Sequence, residues 1–286
     1  MELLHQLFPN LTALSGHAQL MDHNITIDDL RPSGLKAQKP IEALLGANVI
    51  ESIIQEEKDD HLFQPLLIAM ANATLAGYAV FSAYHQRKAG SDVYKYEVEQ
   101  MIRSYKENYY AAMDTLLQEL IGKEVFAQSR YAKLAKKCKI QTADEFDLIY
   151  PIDLSYHFCF RTLPLQCEAL GGRVGGLFAN AAAKNADEEL LSALRLALCK
   201  KTVAIALRRF DILVFPPTIR NLFDESHASR SGKDESGRAL SLADQLDGEV
   251  DGLLDEVSML LGTDGTLDVS SWSGQNRPDD KIVMMP

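Results

Sequence analysis

Apolar positions recur at helical spacing along most of this 286-residue chain, and the spacing predicts a mainly α-helical fold. The first thirty residues break the pattern and read as irregular, with a short extended piece at Asn24–Ile27. A stripe then runs through Leu35, Ile41, Leu44, Leu45, Val49, Ile50, Ile53 and Ile54, with Ser33 as its N-cap. The polar run EEKDD at 56–60 interrupts it. From about Leu62 to Gln86 the chain is apolar nearly all round and rich in alanine, which predicts a central helix that neighbours approach closely. A third helix spans about Tyr94–Ile121 and ends at Gly122, and a short basic piece follows. Thr142 and Glu145 form a capping box for ADEFDLI. The aromatic alternation of YPIDLSYHFCF, 150–160, reads as a strand or extended crossing segment. Helices resume at about Pro164–Leu170 and Glu188–Phe210, stopped by Pro216-Pro217. Residues 226–238 read as a mobile polar loop. Ser241 and Asp244 then cap a last amphipathic helix, Leu242 to Leu261, ended by Gly262. The segment beyond it has no helical period.

The chain repeats itself faintly. PIEALLGANVIESI at 40–53 aligns with QCEALGGRVGGLFA at 166–179, and LLIAMANATLAGYAVF at 66–81 aligns with LLSALRLALCKKTVAI at 190–205. Each unit is helix, glycine, short helix, polar gap and long small-residue-rich helix. The expected architecture is a helical bundle of two related helical units, with an irregular N-terminal segment and an extended C-terminal arm. Its divisions are 1–32, a first unit 33–122, a second unit 123–217, a loop and acidic helix 218–262, and the arm 263–286.

The repeat gives the glycines of EALGGRVGGLF, 168–178, a structural task at a helix junction, with Gly171 and Gly172 as C-terminal caps of positive φ. The stretch is not G-x-G-x-x-G after a strand and lacks the lysine of a P-loop, so a phosphate cradle is not expected.

Charge adds one asymmetry. Ten acids against Arg277 and Lys281 fall between Leu240 and Pro286, in a chain of net charge −11. Such a balance disfavours tight nucleic-acid binding by charge, yet lets DNA slide past. Two basic clusters stand out: Arg130, Lys133, Lys136, Lys137 and Lys139, and Lys200, Lys201, Arg208 and Arg209. They are expected as solvated faces or as an intersubunit patch meeting a neighbour's acidic C-terminal region. Cys138, Cys159, Cys167 and Cys199 show no CxxC or zinc spacing and read as buried, reduced thiols. No run approaches 18 uninterrupted apolar residues, so no membrane span is expected.

Candidate chemistry is sparse. Glu56–Asp60 has the look of an aspartate-rich diphosphate–metal clamp, but its DDHLF portion, 59–63, lacks the third acid and no second motif faces it. Asp247-x-Glu249-x-Asp251-Gly252 mimics a calcium loop, with Ser258 where the closing glutamate belongs. Asp153-Leu-Ser155-Tyr-His157 lies in no nucleophile elbow. The residues point to no catalytic centre, cofactor or metal. A metal-dependent helical enzyme acting on a diphosphate through Glu56–Asp60, and a cytoplasmic helical scaffold, are the alternative readings.

The order LKAQKPIEALLGANVIESI, polar gap, PLLIAMANATLAGYAVFSAY, then YKYEVEQMIRSYKENYYAAMDTLLQELIG resembles the head–tail connector (adaptor) proteins of tailed bacteriophages. TADEFDLIYPID through EALGGRVGGL to LALCKKTVAIALRRF is similar to the same unit repeated, so the likeness spans Gly34–Phe210 and is closest to long, duplicated connectors. The resemblance implies a non-enzymatic virion protein, made in the host cytoplasm and placed in the neck. It implies a homo-oligomeric ring beneath the portal that receives a neck or tail protein and passes DNA without binding it specifically. It further implies portal docking by a C-terminal segment, here Ser271–Pro286, with Trp272, Ile282, Val283, Met284 and Met285 as apolar anchors.

Overall fold

The computed structural model describes residues 2–20, 25–55, 60–88, 94–222 and 232–262, and among these it contains helices and no strand. The helices run α1 Leu3–Leu7, α2 Leu11–Ser15, α3 Arg31–Leu45, α4 Ala47–Gln55, α5 Asp60–Lys88, α6 Lys95–Leu120, α7 Glu124–Ala127, α8 Arg130–Ala135 and α9 Ala143–Ile149. They continue with α10 Tyr156–Leu170, α11 Arg173–Ala183, α12 Glu188–Arg209, α13 Pro217–Arg220 and α14 Gly232–Leu260. Short 3-10 turns at Asp28–Leu30 and Ile212–Val214 complete the fold.

The helix order repeats. α3, Gly46, α4 and long α5 correspond to α10, Gly171-Gly172, α11 and long α12. The correspondence extends one helix beyond the sequence match. α5 forms a hairpin with α6, and α12 packs along most of α14. α3 lies on α5 as α10 lies on α12, and α6 meets α10 between the units. Buried apolar side chains form one cluster from Leu3 to Leu261, so a single core serves both units.

Several local expectations change. Part of the segment expected to be irregular is helical, at Leu3–Leu7 and Leu11–Ser15, because Leu3, Leu4, Leu7, Phe8 and Leu14 all enter the core. Ser33 is no cap. α3 starts at Arg31 out of the 3-10 turn, with Pro32 in its first turn, and Ser33 is buried. The second half of segment 150–160, from Tyr156, is the start of α10, while 150–155 is a non-helical crossing piece and no strand. His157, Phe158, Cys159 and Phe160 are all buried, so neither a helical nor a strand period was visible there. A turn with positive φ at Asp153 and Leu154 leads in, and Asp147 accepts the N–H groups of Ile152 and Leu154. α14 begins at Gly232, so residues 232–238, expected as loop, are helical, and Ser241 and Asp244 are interior.

The glycine assignment shifts as well. Gly171 and Gly172 have φ of −71° and −107°, and the left-handed glycines are Gly46, Gly122 and Gly262. The demand for glycine in the second unit lies at Gly175. A Cβ there would fall 1.9 Å from the Leu170 carbonyl oxygen. The turn between α10 and α11 folds so tightly that only a hydrogen fits.

Candidate functional site

Among the described residues, five bulky side chains left in solvent lie towards the tip of the α5–α6 hairpin. Up to Gly77, α5 is covered by α3, and a Cβ on Gly77 would lie 3.4 Å from the Ser33 Cβ. Past that point the cover ends. Val80, Phe81 and Tyr84 share one face of α5 and are 60%, 54% and 65% exposed. Tyr94 and Tyr96, across the hairpin at the start of α6, are exposed to a similar degree and stacked at 5.9 Å. Tyr78 turns inward, with its ring 6.2 Å from that of Phe81. Aromatic surface of this kind is what protein interfaces concentrate at their centres. The sequence hides the feature because the helix is apolar on all sides. The one cue is the change from small residues before Gly77 to Val80, Phe81 and Tyr84 after it. His61–Lys88 is also long and apolar enough to cross a membrane by composition, contrary to the reading from uninterrupted runs. With 67% of its apolar window buried, it is the bundle's central helix.

The two basic clusters have different fates. Lys200, Lys201 and Arg208 meet acids of their own chain. Lys200 donates to Glu249 at 2.7 Å, Lys201 to Asp247 at 2.9 Å, and Arg208 to Asp244 at 2.6 Å and Asp247 at 2.9 Å. These pairs flank the apolar stripe Ala239, Ala243, Leu246, Val250, Leu254 and Val257 of α14. The hydrogen bonds from Lys200 and Gln245 hold the Glu249 carboxyl below its usual range. The match between basic α12 and acidic α14 is thus made within one chain, and Arg208 is not free for a neighbour. It also accounts for the calcium-like spacing, since Asp247 and Glu249 are committed to lysines. Arg209 grips Glu168 through two hydrogen bonds of 2.6 and 2.7 Å.

Arg130, Lys133, Lys136 and Lys137 are exposed and have no acidic partner among the described residues. Arg130, Lys133 and Lys137 border a groove of about 700 Å³ that Tyr131, Leu134 and Cys167 also line. Lys139 instead lies over the Phe178 ring at 5.5 Å.

Ser155 and His157 do not assemble into a hydrolytic triad. Ser155 caps α10 by accepting the Phe158 N–H, and its hydroxyl donates to Asp114 at 3.0 Å. Asp114 also accepts the His157 backbone N–H at 2.7 Å. The His157 ring is directed elsewhere, against Tyr109 and Tyr110, and its Nδ1 is buried without a hydrogen-bond partner. Burial holds the imidazole pKa down to about 3, with Arg161 adding to the effect. Burial likewise pushes the Asp114 carboxyl up to about 6, against the opposing pull of its hydrogen bonds. Asp114 anchors the start of α10 to α6, a positioning task rather than a chemical one.

Trp272, Ile282, Val283, Met284 and Met285 lie outside the described residues, as do Glu56, Glu57 and Asp59. Among the described residues no group of three or more His, Cys, Asp or Glu side chains is placed to hold a metal ion. Comparison with family models, with curated proteins and with solved structures found no match to this chain.

Proposed function

We propose that this chain is a structural assembly subunit, a head–tail connector that forms a homo-oligomeric ring between the portal and the neck or tail of a tailed phage. The observation that carries the reading is the aromatic tip of the α5–α6 hairpin. Val80, Phe81, Tyr84, Tyr94 and Tyr96 present apolar surface that a second copy of the chain would cover. The phage setting rests on the resemblance of Gly34–Phe210 to duplicated connectors. In that setting the acidic balance suits a wall past which DNA slides. Trp272 and Ile282–Met285 are the candidate anchors on the portal.

Light scattering across a range of concentrations tests the assembly step. The wild-type chain is expected to form a closed, ring-sized particle, alone or on addition of a portal ring. The double variant Phe81→Asp, Tyr84→Ser is expected to remain at monomer mass with an unchanged circular-dichroism melt, because both side chains are exposed. Removing residues 264–286 should abolish portal binding and leave contacts between copies intact. A wild-type monomer indifferent to concentration and portal alike, or a double variant that still assembles, would sink the proposal.

A further inference from the structure

Cys138 and Cys167 are 29 positions apart in sequence and fall in different elements, yet their Sγ atoms lie 3.4 Å apart. Cys138 sits in the turn that follows α8, and Cys167 is in the last turn of α10. The two thiols are unequal. Cys138 is buried, 3.7 Å from the Leu163 carbonyl oxygen, to which its thiol donates. Cys167 is partly exposed on the wall of the groove bordered by Arg130, Lys133 and Lys137. The other two cysteines, Cys159 and Cys199, are buried, and burial pushes both thiols well above their usual range. One cysteine therefore lines a groove edged by cations, and the sulfur of a buried second cysteine lies 3.4 Å from its own.

We propose that Cys138 and Cys167 form an oxidisable dithiol, closed to an intramolecular disulfide by a peroxide that enters the cationic groove. Cys167 is the attacking residue and Cys138 the resolving one. The Cys167 sulfur takes one oxygen of the peroxide: an S–O bond forms, the O–O bond breaks, and the leaving hydroxide becomes water with the proton that the Cys167 thiol gives up. The Cys138 sulfur then attacks the Cys167 sulfenic acid. An S–S bond forms, the S–O bond breaks, and a second water leaves with the proton that Cys138 carried. Two thiols lose two electrons and hydrogen peroxide gains them, giving one disulfide and two waters. The sulfurs must close by roughly 1.4 Å to reach bonding distance, a movement open to Cys138 because it lies in a turn rather than inside a helix. The crosslink would tie that turn to α10 and remove the Cys167 thiol from the groove. Nothing in this inference depends on the assembly reading.

The test uses the full-length chain treated with a few equivalents of hydrogen peroxide, followed by thiol titration in denaturant and peptide mapping without reductant. The titre is expected to fall from four thiols to two, with a Cys138–Cys167 crosslinked peptide as the product. The oxidised protein should melt roughly 5–10 °C higher, reversibly on adding dithiothreitol, because the bond closes a loop of about thirty residues. In Cys138→Ser, or in Cys138→Ala if serine is not tolerated in the buried site, the Cys167 sulfenic acid has no resolving partner and should be trapped by dimedone. Retention of four thiols would overturn the proposal. So would a crosslink between chains, a crosslink involving Cys159 or Cys199, or passage of Cys167 to sulfinic acid in the wild-type chain.

Discussion

Gly175→Ala is expected to destabilise the protein by about 3 kcal/mol or more, read as a shift in the urea unfolding midpoint at unchanged slope. The reason is backbone contact. An alanine Cβ at this position would sit 1.9 Å from the Leu170 carbonyl oxygen and 2.9 Å from its carbon. No rotamer relieves that overlap, so α11 must move off the end of α10, and Val174, Leu177 and Phe178 lose their seat in the core. Gly176, one position on, supplies the control. A Cβ there meets nothing within 4 Å, so Gly176→Ala should be neutral or stabilise by up to about 1 kcal/mol through helix propensity. Equal effects at the two positions would show that the α10–α11 junction is not as tight as described.

The second large effect concerns acid. His157 is held neutral in the fold, with its pKa depressed to about 3. Its contribution is fully present above pH 6.5 and drains away as pH falls toward 3, because the unfolded chain accepts a proton that the folded chain refuses. Asp114 runs the other way. Its folded pKa is raised to about 6, so its contribution is complete below pH 3.8 and is lost as pH rises through 6. The histidine term is worth roughly 3–5 kcal/mol and the aspartate term roughly 2–3 kcal/mol, so in the wild-type protein they largely offset each other. Asp114→Asn removes one side of the balance while its amide oxygen still accepts from Ser155 and from the His157 N–H. Its melting temperature should therefore fall much more steeply than that of wild type between pH 7 and 4. His157→Phe keeps a ring against Tyr109 and Tyr110 and should flatten or reverse the slope. Parallel pH profiles for both variants and wild type would exclude this coupling.

Much of the architecture could be read from the chain because α3, α4 and α6 of the first unit are one-sided. The stripe from Ile41 to Ile53 and the stripe of the third helix both place their apolar residues on one face, and both form helices that bury that face. The repeat was visible for a related reason. Glu-Ala-Leu followed by glycine marks a helix that must stop before a second begins, and α3–α4 and α10–α11 share that form. The pattern failed where burial is complete, because a helix apolar on every side, as at His157–Phe160, has no period to read. It failed again at 232–238, where composition suggested a loop but the backbone is already in α14, ahead of the buried stripe that begins at Ala239. The candidate site was least legible. The tip of α5 looks like core in sequence, and only the end of α3 decides that Phe81 and Tyr84 lie beyond cover. The approach of Cys138 to Cys167 leaves no trace in their spacing at all, since it arises from how the turn after α8 rests on α10.

The small-residue contact of Gly77 with Ser33 has a mechanical side. Beyond it, α5 continues to Lys88, about 16 Å at helical rise, still burying Tyr78, Ala79, Ser82 and Ala83, so the α5–α6 hairpin projects as one arm from this contact. A tilt of about 10° at that contact carries the far end through roughly 3 Å, which is more than half a helical turn of pitch. For the ring proposed above, the aromatic residues would supply adhesion while the contact sets the angle at which successive copies meet. Curvature, and with it the number of subunits that closes a circle, would then be encoded at two of the smallest side chains in the molecule.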